Sequence, residues 1–267
     1  MKHNLLFFIL IIISNYSFSQ ILPSYQGSHF KKRAIIESDI ILHLDASNSS
    51  SFDSDNLTVW NDLSSSNNDF TLKNGGVSFS SDNGGSLVFD GYDYFCINPI
   101  SNLNTNNLTI SLWIKVTSVT NSYGSLVQSS RTPSNITNEF VFLVGENTGK
   151  LKFWDFSNAY GFNTNSSSSI LQSPAIWKFI TFTKNGTTGK YYIGSSLDAT
   201  VTASRNVNYG SDWFCIGRDY RHDPDFSSYS TRYGFKGNMG AVYIYSSTLS
   251  QSEIEKNFNS TKSRYGY

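Results

Sequence analysis

From Thr109 to Val116 apolar and polar residues alternate. Ile110, Leu112, Ile114 and Val116 share one side, and Thr109, Ser111, Trp113 and Lys115 share the other. A two-residue period is that of a β-strand with one face on a core. Such a strand needs a second layer over its apolar side. Its polar side carries a single large aromatic, Trp113, which makes that residue a candidate ligand contact. Shorter strand-like runs recur at Ile40 to Leu44, Ser125 to Gln128, Phe140 to Gly145, Lys150 to Phe156, Trp177 to Lys184, Lys190 to Gly194, Trp213 to Gly217 and Gly240 to Tyr245. Glu146-Asn147-Thr148-Gly149 and the Asn185–Gly189 stretch are turn signals that close two hairpins, and Asn74-Gly75-Gly76 predicts a third between Phe70 and Phe79. Roughly a dozen short strands with almost no helical period predict an all-β, two-sheet antiparallel sandwich.

One helix breaks the pattern. Ser250-Gln251-Ser252-Glu253 is a capping box, and Leu249 and Ile254 occupy the positions of a hydrophobic staple. Ile254 and Phe258 then share a face, which predicts a short C-terminal helix over about Gln251 to Thr261.

The first 19 residues read as a signal peptide. Lys2 and His3 give a basic start, Leu5 to Ile13 is unbroken and apolar, and Ser17-Phe18-Ser19 puts small residues where a signal peptidase inspects them. The apolar run is too short to span a bilayer, which takes about 20 residues. Cleavage is therefore expected before Gln20, giving an exported chain with no transmembrane segment. Residues 20–37 lack a period and read as a linker, and residues 38–267 as a single domain. Charged residues make up 15% of the chain and balance at 20 basic and 20 acidic, so no basic field offers itself to nucleic acid. The two cysteines, Cys96 and Cys215, sit in matching settings, Phe-Cys-Ile, each turned away from its Phe and Ile neighbours. An exported chain permits a disulfide between them; two separately packed thiols fit the sequence equally.

In family order, the segments LHLDASN, TVWNDLSSSNND, GGSLVFDGYDYFCI, LTISLWIKV, WKFITFTKNGTTGKYYIG, CIGRDYR and FKGNMGAVYIYSSTLSQSEIEKNFNSTKSRYG resemble the concanavalin A-like, laminin-G-like jelly-roll family. They span Ile40 to Gly266. The resemblance implies a jelly roll of two antiparallel sheets, one concave, with recognition of a glycan or a protein as its usual role. It also implies that Trp60 and Trp177 are core residues.

Some members of this superfamily hydrolyse polysaccharides with carboxylates at alternate strand positions, a spacing that a retaining pair about 5–5.5 Å apart requires. No Glu-x-Asp-x-Glu pattern occurs here, and the glutamates (Glu37, Glu139, Glu146, Glu253 and Glu255) are scattered. Nor do His29, His43 and His222 lie in a nucleophile signature. The chain is therefore expected not to be an enzyme. A sugar binder stacks C–H faces on aromatic rings and hydrogen-bonds hydroxyls through carboxylates, amides and Arg. Trp154, Asp155 and Tyr160 are the candidates at a strand end and its loop, joined by Trp113 and Arg221. The Arg218–Phe235 loop carries Asp219, Asp223 and Asp225, oxygen ligands of the kind calcium takes. That loop looks like the acidic loop before the last strand in pentraxins, although Arg221 stands where an acid is wanted. Salt bridges from these acids to Arg218, Arg221 and Arg232 are the other reading. Asp90 and Asp93 form a second acidic pair, for which a turn-stabilising role of Asp90 before Gly91 is the alternative. The expectation is a secreted recognition module for carbohydrate (lectin-like) or a cell-surface partner. The alternatives are a structural adhesion or surface-assembly protein, and a polysaccharide hydrolase.

Overall fold

The computed structural model describes residues 34–74, 76–119, 123–130, 139–155, 161–206, 209, 213–218 and 233–267. The expected signal peptide and most of the expected 20–37 linker lie outside the described residues. The rest forms two antiparallel sheets and one short C-terminal helix.

The eight-stranded sheet runs β15 (Ser196–Thr202), β14 (Thr188–Ile193), β13 (Trp177–Asn185), β8 (Asn107–Val116), β17 (Lys236–Tyr245), β6 (Ser86–Asp90) and β5 (Ser78–Ser80). β1 (Ile40–Asp45) pairs with the second half of β17. The nine-stranded sheet runs β12 (Asn163–Ser169), β11 (Lys150–Asp155), β10 (Phe140–Val144), β9 (Gly124–Ser130), β16 (Trp213–Ile216), β7 (Tyr94–Ile97), β4 (Phe70–Asn74), β3 (Asn56–Trp60) and β2 (Phe52–Asp53).

β8 lies in the middle of its sheet, and its alternation sets the core. Ile110, Leu112, Ile114 and Val116 join Phe182 and Ile180 of β13 and Val242 and Ile244 of β17 in one buried cluster, closed from the other sheet by Phe95, Phe140, Phe142, Phe153 and Phe214. Trp60 is fully buried in it and Trp177 is buried on the other side of β13, as core residues.

The predicted hairpin between Phe70 and Phe79 does not form. β4 pairs with β3 and β7 in one sheet, whereas β5 pairs with β6 in the other. The chain is pulled across by Asp93, whose carboxylate accepts from the amides of Gly76 (2.8 Å) and Asp90 (3.1 Å). Gly91, at φ 101°, supplies the left-handed corner between those acids. A turn signal marks a change of direction; it does not say which sheet receives the chain.

The helix α1 (Gln251–Thr261) has the expected bounds. The Ser250 Oγ accepts from the Glu253 amide, and the Glu253 carboxylate accepts from the Ser250 amide at 2.8 Å. Leu249 and Ile254 are both buried under it. A 3-10 turn, Lys262–Tyr265, follows, and Arg264 ties it back with bonds to the Asp45 carboxylate (2.5 Å) and the Gly85 carbonyl (2.6 Å). No helix of the described residues is long and apolar enough to cross a membrane.

Candidate functional site

The outer faces of the two sheets are where the sandwich can meet a partner, and they are finished differently. On the eight-stranded sheet α1 and the 3-10 turn lie across β8. Trp113 is 0% exposed: its ring stacks on Tyr265 at 4.1 Å between centroids and on Phe258 at 5.8 Å, and its indole N–H donates to Thr261 Oγ1 at 2.8 Å. The expectation of a ligand contact at Trp113 is thereby corrected. Alternation put it on the outer face correctly, but a helix far along the chain covers that face. Ser111 and Thr181 are buried beside it and share a 2.9 Å bond.

On the nine-stranded sheet one row of outward positions crosses strand after strand: Asn163, Trp154, Val141, Gln128, Cys215, Cys96 and Thr71 are successive register partners. At its centre Cys96 and Cys215 form a disulfide, with Tyr94 and the half-buried Trp213 packed on it. The open choice between a bond and two thiols resolves as a bond because β7 and β16 are neighbours with the two cysteines directly opposed. Val141 and Gln128 are buried, while Asn163 and Thr71 are exposed and Trp154 is half-buried.

Trp154 therefore carries the accessible end of the row. Lys152, two residues earlier on β11, is on the same face, with its ammonium 4.5 Å from the Trp154 ring centroid. Partial burial lowers the Lys152 pKa from the usual lysine value. The ring is thus held against a cation, and its register partner on β12 is the exposed Asn163. Toward the other end of the same strands Arg218 lies 5.8 Å from the Tyr94 ring centroid, and Tyr123 stacks on Tyr233 at 6.0 Å.

Asp155 does not join Trp154. Being one residue on, it faces the core and is 6% exposed, its register partner the buried Phe140. Its carboxylate accepts from the Phe162 amide at 2.7 Å and the Tyr209 hydroxyl at 3.1 Å. The expectation of a ligand contact at Asp155 is corrected on that ground: the side chain holds the edge between β11 and β12. Across from it the buried Lys184 donates to the Thr105 carbonyl (2.5 Å) and to Asn206 Oδ1 (2.6 Å), and desolvation pushes its pKa down to about 8. Tyr160, Arg221, Asp219, Asp223 and Asp225 lie outside the described residues. Among the described residues no group of three or more His, Cys, Asp or Glu side chains is placed to hold a metal ion. Asp90 and Asp93 are occupied by backbone amides; burial, the largest influence, raises Asp93 to about 6.

Sequence reasoning missed Lys152 and Trp213. Both were within reach of it, since Lys152 is two residues from Trp154 and Trp213 two from Cys215, the same-face spacing on a strand.

The fold and this arrangement define a jelly-roll sandwich with one face covered and one partly open. The chain belongs to the concanavalin A-like lectin/glucanases superfamily, whose Laminin_G_3 model matches residues 89–255. No curated protein sequence matches it. Among solved structures it is similar to domain 4 of AbnA, a GH43 extracellular arabinanase from Geobacillus stearothermophilus, solved with arabinotriose. The identity is 16% and the TM-score 0.63, over 83% of this chain and 99% of that one. It is also similar to the binding domain of Paraclostridial Mosquitocidal Protein 1, with 17% identity, a TM-score of 0.60 and 84% of this chain covered. The binding domain of botulinum neurotoxin DC, solved with rat synaptotagmin II, is similar at 16% identity, a TM-score of 0.59 and 85% coverage of this chain. This chain covers 52% of each of those two toxin domains. At such identities the likeness is one of fold.

Proposed function

We propose that the chain is an exported, non-catalytic recognition module that binds a glycan on the outer face of its nine-stranded sheet. The observation that carries this is the Trp154 platform: a half-buried indole braced by Lys152 at 4.5 Å and bordered by the exposed Asn163. A sugar lays its C–H face on such a ring and its hydroxyls bond the flanking amide and ammonium. The fold it shares with an arabinotriose-binding domain supports the reading. The absence of catalysis is supported by the sequence, which lacks alternating acids, and by Asp155, whose carboxylate is turned into the core and held by two donors. Export is supported by the leader and by the Cys96–Cys215 disulfide, a bond that persists in oxidising compartments.

The test is a glycan array probed with residues 20–267, with and without a chelator, beside Trp154→Ala. Specific glycan signals that fall at least tenfold in the variant support the proposal; unchanged signals in the variant overturn the assignment of the site. The chelator arm tests the calcium expectation for Asp219, Asp223 and Asp225. Silence across the array favours the second reading, a protein partner, which the similarity to a domain solved with rat synaptotagmin II makes worth testing.

A further inference from the structure

A groove of about 460 Å³ lies on the opposite side of the molecule from Trp154, between the outer face of β13–β14 and the turn that enters α1. That volume is within the range of small-molecule sites, about 300–1,000 Å³. One wall is a strand surface in strict register, with Thr183 opposite Lys190 and Thr181 opposite Tyr192. The other is the chain from Thr248 through Glu253.

Two side chains of the strand wall have business left undone. Thr183 is 2% exposed and Tyr192 3% exposed, and both line the groove. Neither hydroxyl makes a hydrogen bond with the described residues, whereas the neighbouring Ser111, Thr181 and Thr109 hydroxyls all do. Neither oxygen is sealed from solvent, so each is free to bond water or a ligand in the groove. Asn185 and Gln251 add amides at the rim.

Charge narrows the chemistry. Lys190 and Glu253 bring one charge of each sign. Glu253 stays ionised, since the Ser250 amide and hydroxyl both donate to it and hold its carboxyl below the usual value. The helix terminus is thereby already capped and offers no anion site. A groove that is neutral overall and lined by hydroxyls and amides selects neither an anion nor a cation. It suits a ligand whose own groups both donate and accept along a ring.

We propose that this groove is a second binding site, independent of the Trp154 surface, for one neutral saccharide unit, with the Thr183 and Tyr192 hydroxyls on its strand wall as anchors. Titrating the ¹⁵N-labelled chain with methyl glycosides of glucose, galactose, mannose, xylose and N-acetylglucosamine tests it. At least one glycoside is expected to shift the amides of Thr183, Lys190 and Gln251, equally in Trp154→Ala. The double variant Thr183→Val/Tyr192→Phe is expected to weaken that response at least tenfold. Should the double variant fail to fold, Thr188→Trp, at the half-buried groove rim, is expected to abolish the response by filling the space. Amides that stay unmoved by every glycoside overturn the proposal, as does a response that survives removal of both hydroxyls or the Thr188→Trp substitution. A response lost in Trp154→Ala also overturns it, because the two sites would then be one.

Discussion

Trp113 and Trp154 occupy equivalent positions in the two layers. Each is an aromatic on the outward side of a strand whose inward side feeds the same core. Trp113 is sealed by Phe258, Thr261 and Tyr265, whereas Trp154 is only partly buried, with a lysine on its ring. The sealing residues lie far down the chain, Thr261 being 148 positions beyond Trp113. The lysine lies two positions before Trp154. Alternation tells which side chains share a face. Whether that face is wet depends on what else the chain lays on it.

The largest effect is expected at the floor of the open face. The disulfide spans a sequence separation of 119 residues, and in the chain-entropy model a loop of that length contributes about 4–5 kcal/mol. Cys96→Ser/Cys215→Ser should lower the unfolding free energy obtained from urea titration by that amount while leaving the covered face intact. The check is the fluorescence of the stacked Trp113, followed in the native baseline. A midpoint unchanged from the parent would show that the bond bears no part of the stability of this face.

Next comes Trp113 itself. Trp113→Ala removes a fully buried indole from beneath α1 and should cost about 3–5 kcal/mol. Glycan affinity, measured below the new melting temperature, should not change. A loss of affinity at full foldedness would mean that the covered and open faces are coupled.

A third effect tests the corner that carries the chain between the layers. Burial raises the Asp93 pKa to about 6 in the native state, above the unfolded value of 3.8. The folded chain thus holds a proton in that window which the unfolded chain has released. Stability from this group is complete below about pH 4 and is lost as pH rises through about 6. Urea midpoints of the parent should therefore fall between pH 4 and 6 relative to those of Asp93→Asn, and run parallel to them above pH 7. Parallel curves over the whole range would show that Asp93 titrates at its ordinary value.

Much of this architecture was legible because the signals were local. The β8 alternation, the β10–β11 and β13–β14 hairpins and the capping box at Ser250 each depend on residues close in sequence, and each forms. β12 and β15 were not foreseen. NTNSSSS and SLDATVT carry little apolar signal because both are edge strands, one face wet and one side unpaired. The missed crossing between β4 and β5 and the misjudged Trp113 share a cause, since each is decided by a distant partner, Asp93 in one case and the C-terminal segment in the other. In the candidate site, Trp154 was found by its neighbours, while Asp155 was misassigned by a single step along the strand. That step is half the period, and it carries a side chain from the outer surface to the core.

The smallest stability effect is expected where the functional effect should be greatest. Trp154 is half-buried, and its best-defined partner is a lysine whose cation–π contact is worth about 0.5–1 kcal/mol at an accessible site. Trp154→Ala should therefore cost less unfolding free energy than Trp113→Ala, whose indole is fully buried. The same substitution should weaken glycan binding at least tenfold, which is about 1.4 kcal/mol. Trp154→Phe keeps an aromatic face and should recover part of that affinity, because stacking uses the ring and not the indole N–H. Lys152→Met separates the cation from the platform: stability should again change little, and affinity should fall less than in Trp154→Ala. If Trp154→Ala instead destabilises the fold as much as Trp113→Ala does, then the second tryptophan is also a packing residue, and the open face has no platform to offer a sugar.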